Sequence, residues 1–252
     1  MIIPKSYEKD FTIEAAVNHL VSIEPRFAEI AAKYPCEVFS QHTLETPVNP
    51  FDALATSILA QQISGSAARS IKKRFLQLFS GDEKLPDSHP ASDSNSLNEQ
   101  IMKGVFPTPY EVLQLDIPTL RSAGLSLRKA EYMLDLAAKF STGEINAHDL
   151  ITLPDDEVIE MLVKVRGLGI WSAQIFLMFA LKRQDVFPIG DLGLQRGMAI
   201  WFGKNISLAK GSKGKFKYMS EEEMIEKSDP YKPYRTLFTW YMWRATQTIL
   251  PI

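Results

Sequence analysis

The residues best suited to chemistry gather between Leu153 and Gly197. Pro154 with Asp155, Asp156 and Glu157 opens a helix, placing proline in the first turn and acids at the positive end of the dipole. That helix stops at Arg166-Gly167-Leu168-Gly169, and a second one begins near Ile170. Two glycines flanking one apolar residue make a tight hairpin. With their side chains missing, backbone N–H groups at the start of the second helix can approach a phosphate oxygen directly. An ordinary turn between two helices has the same pattern, so Gly-x-Gly alone decides nothing. The histidines, His19, His42, His89 and His148, all lie outside this segment, so no histidine triad or metal-ligand set can form there. Cys36 is the only cysteine, which excludes an internal disulfide, an iron–sulfur cluster and a multi-cysteine zinc site. A reducing, intracellular compartment fits that usage.

The elements that must position this segment read almost entirely as helix. Apolar residues recur at helical spacing through Ile13–Tyr34, Phe51–Ile63, Ala67–Phe79, Arg128–Phe140, Val158–Val163 and Ile170–Leu181. A last, aromatic-rich helix is expected over Tyr234–Leu250. Alternating strand patterns are nearly absent, with Val38–Leu44 as a short extended candidate. The predicted class is all-α. Two segments interrupt it. Residues 81–100 are dense in Ser, Asp, Pro and Asn and predict a mobile surface loop. Residues 203–218 carry Lys204, Lys210, Lys213, Lys215 and Lys217, which suits a solvated insertion, a DNA-backbone contact or a nuclear-import signal. With 45% hydrophobic and 23% charged residues, the composition is that of an ordinary globular protein. Neither a membrane-spanning run nor a secretory signal is read. A net charge of −2 argues mildly against a nucleic-acid partner without excluding one, because phosphate contacts are local.

Five blocks then carry a family resemblance. Val165-Arg-Gly-Leu-Gly-Ile-Trp-Ser-Ala173 is similar to the hairpin of the helix–hairpin–helix base-excision glycosylases, in particular their alkyl-base branch, the 3-methyladenine DNA glycosylases of yeast and bacteria. Asp185-Val-Phe-Pro-Ile-Gly-Asp-Leu-Gly-Leu-Gln-Arg-Gly197 resembles the segment bearing that family's catalytic aspartate. Ser57-Ile-Leu-Ala-Gln-Gln-Ile-Ser-Gly-Ser-Ala-Ala68 resembles its minor-groove-probing turn. Ala123-Gly-Leu-Ser-Leu-Arg-Lys-Ala130 and the stretch from Pro233-Tyr-Arg235 to Trp243-Arg244 match in order. The resemblance implies one helix–hairpin–helix glycosylase domain over residues 1–252, made of two helical lobes with a cleft between them and a hairpin at about 154–182. The sheet-containing N-terminal domain of larger bacterial relatives is expected to be missing.

Carried over residue by residue, Asp191 becomes the catalytic carboxylate. Breaking an N-glycosidic bond develops positive charge on the sugar, which a nearby carboxylate stabilises while it orients or deprotonates the attacking water. The alternative is an N-cap for the helix running to Phe202, and both roles are compatible. Where the superfamily's lyases hold a nucleophilic lysine, this chain has Trp171, which cannot form a Schiff base. An intact abasic site is therefore the expected product. Gln62 is implied as the side chain that fills the gap left by a flipped base, with Ser64 beside it in the minor groove. A solvent-facing helix end for Gln62 and an N-cap for Ser64 are the plainer readings. Trp243 and Phe179 are candidates for an aromatic pocket that holds a cationic alkylated base through its π-face, against core packing for both. Ile175 stands where bacterial homologues have a pocket tyrosine, which leaves the lesion range open.

Backbone amides near Gly167, Gly169 and Trp171 are expected to hold phosphates. The resemblance further implies a monovalent cation on the carbonyls of Val163, Val165 and Leu168. No organic cofactor is expected. The partner is double-stranded DNA containing alkylated bases, with no membrane, and the expected state is a monomer in the nucleus. The readings weighed against this one are a non-catalytic helix–hairpin–helix module for damaged or branched DNA, and a lyase-type glycosylase for oxidised bases.

Overall fold

The computed structural model describes residues 11–79, 106–206 and 217–249. Among these the regular structure is helical and no strand is present. The chain divides into two compact units, Asn49–Ile170 and Met1–Val48 together with Trp171–Ile252.

In the first of these units the helices are α4 (Pro50–Ala60), α5 (Gly65–Gln77), α6 (Pro109–Leu113), α7 (Ile117–Ser122), α8 (Leu127–Ser141), α9 (Ala147–Thr152) and α10 (Asp155–Leu162). Helix α8 sits at the middle, packed by α4, α6 and α7. Its Ala130, Met133, Leu136 and Ala137 are buried at helical spacing. Phe51, Phe75, Phe106 and Phe140 form a chain of edge-on and tilted ring contacts in the same core. Short polar residues start nearly every helix. Asn49, Ser64, Asp116, Ser126 and Asn146 each accept a backbone N–H, and Thr108 with Glu111 closes a capping box.

The other unit holds α1 (Ile13–Ile23), α2 (Phe27–Lys33), α3 (Gln41–Glu45), α11 (Ile170–Phe179), α12 (Leu192–Trp201), α13 (Glu221–Ser228) and α14 (Arg235–Ile249). Ile170, the first residue of α11, is counted with the first unit. The core of the second unit is strongly aromatic: Phe27, Phe39, Tyr231, Phe238 and Tyr241 are all nearly inaccessible. Phe27 contacts Trp201, Tyr231, Phe238 and Tyr241. Helices α12 and α14 cross very closely at Gly197, where a Cβ would lie 2.0 Å from the Met242 carbonyl oxygen.

Three expectations are corrected. Ile13–Tyr34 is two helices rather than one, because Pro25 removes a backbone donor and biases Glu24 away from helix; Glu24 is extended, at φ −141° and ψ 103°. Val38–Leu44 is not extended: Glu37–Phe39 forms a 3-10 turn and Ser40 caps α3. The helix expected to reach Ile63 ends at Ala60, and Gln62 adopts a left-handed φ of 57°. The insert at 81–100 lies outside the described residues, as do residues 207–216 of the Lys-rich insert. At the described margins of the latter, Lys204 pairs with Glu223, and the Lys217 backbone N–H donates to the buried Gln195 Oε1 at 3.1 Å.

Candidate active site

Asp191 is the N-cap of α12, and three N–H groups converge on its carboxylate. Oδ1 accepts from the Leu194 backbone N–H at 2.6 Å and from Trp243 Nε1 at 2.9 Å. Oδ2 accepts from Trp171 Nε1 at 2.7 Å. The N-cap reading of this residue is borne out, and the same carboxylate is held by two indole N–H groups as well. Asp191 is partly exposed and makes no ion pair among the described residues. Hydrogen bonds to an ionised carboxylate are short and strong compared with neutral ones, so three donors fix the orientation of both oxygens.

The surrounding elements explain how the sequence achieves this. Trp171, Ile175 and Phe179 lie four residues apart on α11 and so share one face. Phe179 stacks on Trp243 of α14, with ring centroids 6.1 Å apart and planes tilted by 17°. Gly193 leaves room for the arrangement: a Cβ there would sit 3.1 Å from Asp191 Oδ1 and 3.2 Å from Trp243 Cδ1. The loop carrying Asp191 is laced to the first turn of α14. Arg235 clasps Asp185 with Nε on Oδ1 and Nη2 on Oδ2, both at 2.7 Å. Thr236 Oγ1 donates to the Arg183 carbonyl at 2.6 Å and accepts from the Val186 N–H at 2.9 Å. Asp185 is thus committed to a bidentate ion pair with Arg235.

The second group of sequence-flagged residues lies in the Asn49–Ile170 unit. Gln62 and Ser64 are exposed in the turn between α4 and α5, and Ser64 Oγ caps α5 by accepting the Ala67 N–H. Gly167 has a φ of 83°, and a Cβ on it would fall 2.0 Å from the ring of Tyr132. Only glycine fits there. Gly169 is different, since a Cβ there meets nothing within 4 Å. The hairpin rim carries exposed apolar side chains, Val163 and Ile170. Leu168 and Val165 are buried, and the Val165 carbonyl already accepts the Leu168 N–H at 3.1 Å.

The structure therefore brings Asp191, Trp171, Phe179 and Trp243 together, with Ile175 half-buried on the same helix face. It groups Gln62, Ser64, Gly167 and Gly169 in the other unit. Sequence reasoning missed the indole N–H of Trp171 as a partner of Asp191, the notch at Gly193, and the donor role of Trp243. The Leu-Gly-Leu after Asp191 was the one available signal for the notch. Among the described residues no cluster of His, Cys, Asp and Glu can hold a metal ion. None of the helices among the described residues is long and apolar enough to cross a membrane.

With a glycine hairpin, a capped carboxylate and an all-helical frame in place, the class is defined: the chain belongs to the HhH-GPD superfamily of base excision DNA repair proteins, whose pattern it matches over residues 55–218. It is 31% identical over 262 residues to a DNA-3-methyladenine glycosylase of Saccharomyces cerevisiae, covering 96% of this chain and 82% of that protein. Among solved structures it resembles a DNA-3-methyladenine glycosidase of Bacillus halodurans, with 27% identity, a TM-score of 0.65, and coverage of 96% and 92% of the two chains. It shares its fold with a Schizosaccharomyces pombe 3-methyladenine DNA glycosylase solved with abasic DNA, at 24% identity, a TM-score of 0.64 and coverage of 92% and 97%.

Proposed function

We propose that this protein is a monofunctional DNA glycosylase that flips alkylated purines, of the 3-methyladenine and 7-methylguanine type, out of duplex DNA and hydrolyses their bond to deoxyribose. The observation that carries the reading is the Asp191 carboxylate fixed by Trp171, Trp243 and the Leu194 amide. As the glycosidic bond breaks, electrons leave with the base and positive charge grows on the sugar. The Asp191 carboxylate stabilises that charge and holds or deprotonates the incoming water. An N3- or N7-alkylated purine is already cationic and leaves readily, so no strong general acid is required. The stacked Phe179 and Trp243 rings offer a π-face that favours such a cation over neutral adenine or guanine. Ile175 contributes an apolar wall without a hydroxyl.

Trp171 supplies an N–H where a lyase needs an amine, so the strand stays intact at the abasic product. Gln62 fills the vacated stack, Ser64 lies beside it in the minor groove, and amides at Gly167, Gly169 and Trp171 hold phosphate oxygens. If the hairpin also seats a monovalent cation, the carbonyls of Val163, Val165 and Leu168 would hold it, and its positive charge would reinforce the phosphate grip. The second lone pair of the Val165 oxygen is compatible with that role. No organic cofactor takes part, and the reading places the protein as a monomer in the nucleus.

The test is release of labelled base from methylated duplex DNA by the native protein and by Asp191→Asn. Release should fall by at least about a hundredfold, the scale for losing a group matched to transition-state charge, while affinity for an abasic-site duplex persists. Equal release by both proteins refutes the role of Asp191. Binding without release by the native protein would instead identify a non-catalytic module, and strand incision without alkali a lyase.

A further inference from the structure

Two single-residue turns in the Asn49–Ile170 unit are held in left-handed backbone, Gln62 at φ 57° and Gly167 at φ 83°. For a non-glycine residue this conformation is unfavourable and persists only where its surroundings enforce it. The enforcing contacts around Gln62 are specific. Gln61, immediately before it, directs Nε2 at the Gly167 carbonyl oxygen at 2.9 Å. Lys129 Nζ donates to the Leu59 carbonyl at 2.7 Å, capping the last turn of α4 from below. Burial holds the Lys129 ammonium below the usual lysine range.

The same helix braces the hairpin. One turn after Lys129, the Tyr132 ring lies against Gly167. Asp135 Oδ2 then accepts the Arg166 N–H at 2.8 Å, and Glu131 pairs with the Arg166 guanidinium at 3.2 Å. Helix α8 is a common backboard, and the Gln61–Gly167 hydrogen bond is the direct tie between the two turns resting on it.

We propose that Gln61 is a positioning residue that couples the turn bearing Gln62 and Ser64 to the phosphate-gripping turn at Gly167, so that filling the base gap and holding the backbone act as one unit. This rests on the glycosylase reading above. A gap-filling side chain does work only if its backbone does not recoil when the base is pushed out. The tie transmits that recoil to a turn anchored on phosphate. Gln61 itself touches neither base nor sugar.

The experiment uses Gln61→Met, which keeps the size and removes the donor, and Gln61→Glu, which keeps the shape but turns an acceptor toward the carbonyl. Base release is measured at saturating enzyme on one lesion in two settings, fully paired and in an unpaired bulge where extrusion is nearly free. On the paired lesion both variants should be slower by about three- to tenfold, the effect of one lost hydrogen bond. On the bulged lesion they should match the native protein, and thermal unfolding should be unchanged. Equal slowing on both substrates would reduce Gln61 to a structural role and overturn the proposal, as would no slowing on either. A native protein inactive on both substrates would overturn the glycosylase reading itself, and this inference with it.

Discussion

Asp191 and Gly167 are each set by an aromatic neighbour, in opposite senses. Asp191 depends on what its neighbours donate: two indole N–H groups and a backbone amide aimed at particular oxygens. Gly167 depends on what it lacks, because its backbone lies flat on Tyr132 and leaves no volume for a methyl group. A carboxylate held by separate donors can be weakened step by step. A turn held by contact with a ring fails all at once. At Asp191 side-chain chemistry sets the geometry, and at Gly167 the shape of the main chain does.

Gly167→Ala gives the largest separation. A Cβ driven into the Tyr132 ring, in left-handed backbone, should cost about 3 kcal/mol or more, read as a lower midpoint in urea. Gly169→Ala should leave that midpoint within about 0.5 kcal/mol, because its Cβ enters open space, while weakening affinity for an abasic-site duplex. Equal stability of the two variants would erase the distinction. On the chemical side, Trp171→Phe and Trp243→Phe keep an aromatic ring and delete one donor to the carboxylate. Each should lower the rate of base release by about tenfold, as expected for a hydrogen bond to a charged group, with little change in unfolding temperature. If Trp243→Phe loses affinity for the lesion rather than rate, stacking on Phe179 matters more than the N–H.

A separate effect, on stability alone, comes from alkaline pH. Burial raises the Cys36 thiol from 9.0 to about 11 and the Tyr231 phenol from 10.0 to about 12. Both groups hold their protons more tightly folded than unfolded. The stability they confer is complete below about pH 9 and is lost as pH rises toward 11 and 12. All four tryptophans, Trp171, Trp201, Trp240 and Trp243, lie in the same unit as these groups. Tryptophan fluorescence during urea unfolding therefore reports this unit alone, and its midpoint should decline across that window. A flat profile from pH 8 to 11 would remove the burial argument. At pH 8 a thiol-alkylating reagent should label Cys36 only after unfolding.

Much of this was legible in the chain itself. The acidic first turn after Pro154, the Gly-Leu-Gly break and the spacing of Trp171, Ile175 and Phe179 are local, so periodicity and turn chemistry reveal them. The short helices at Pro109–Leu113, Ile117–Ser122, Ala147–Thr152 and Glu221–Ser228 carry too few residues for a periodic signal. Their caps, Thr108, Asp116, Asn146 and Ser220, were the only notice of them. The split at Pro25 was readable from proline alone. The indole donors to Asp191 were not, because they come from 20 and 52 residues away, and no local pattern encodes where a side-chain N–H will end. Trp171 was therefore expected to act through its backbone, whereas its side chain is engaged as well. The Gln61 tie spans 106 residues and was hidden for the same reason.

An ionised carboxylate offers roughly four in-plane acceptor directions, two on each oxygen. At position 191, Oδ1 has both of its directions taken and Oδ2 has one. Among the described residues a single vacancy is left, so a fourth partner has one seat and one angle of approach. On the proposed glycosylase reading, the attacking water would take that seat and reach the sugar from one side.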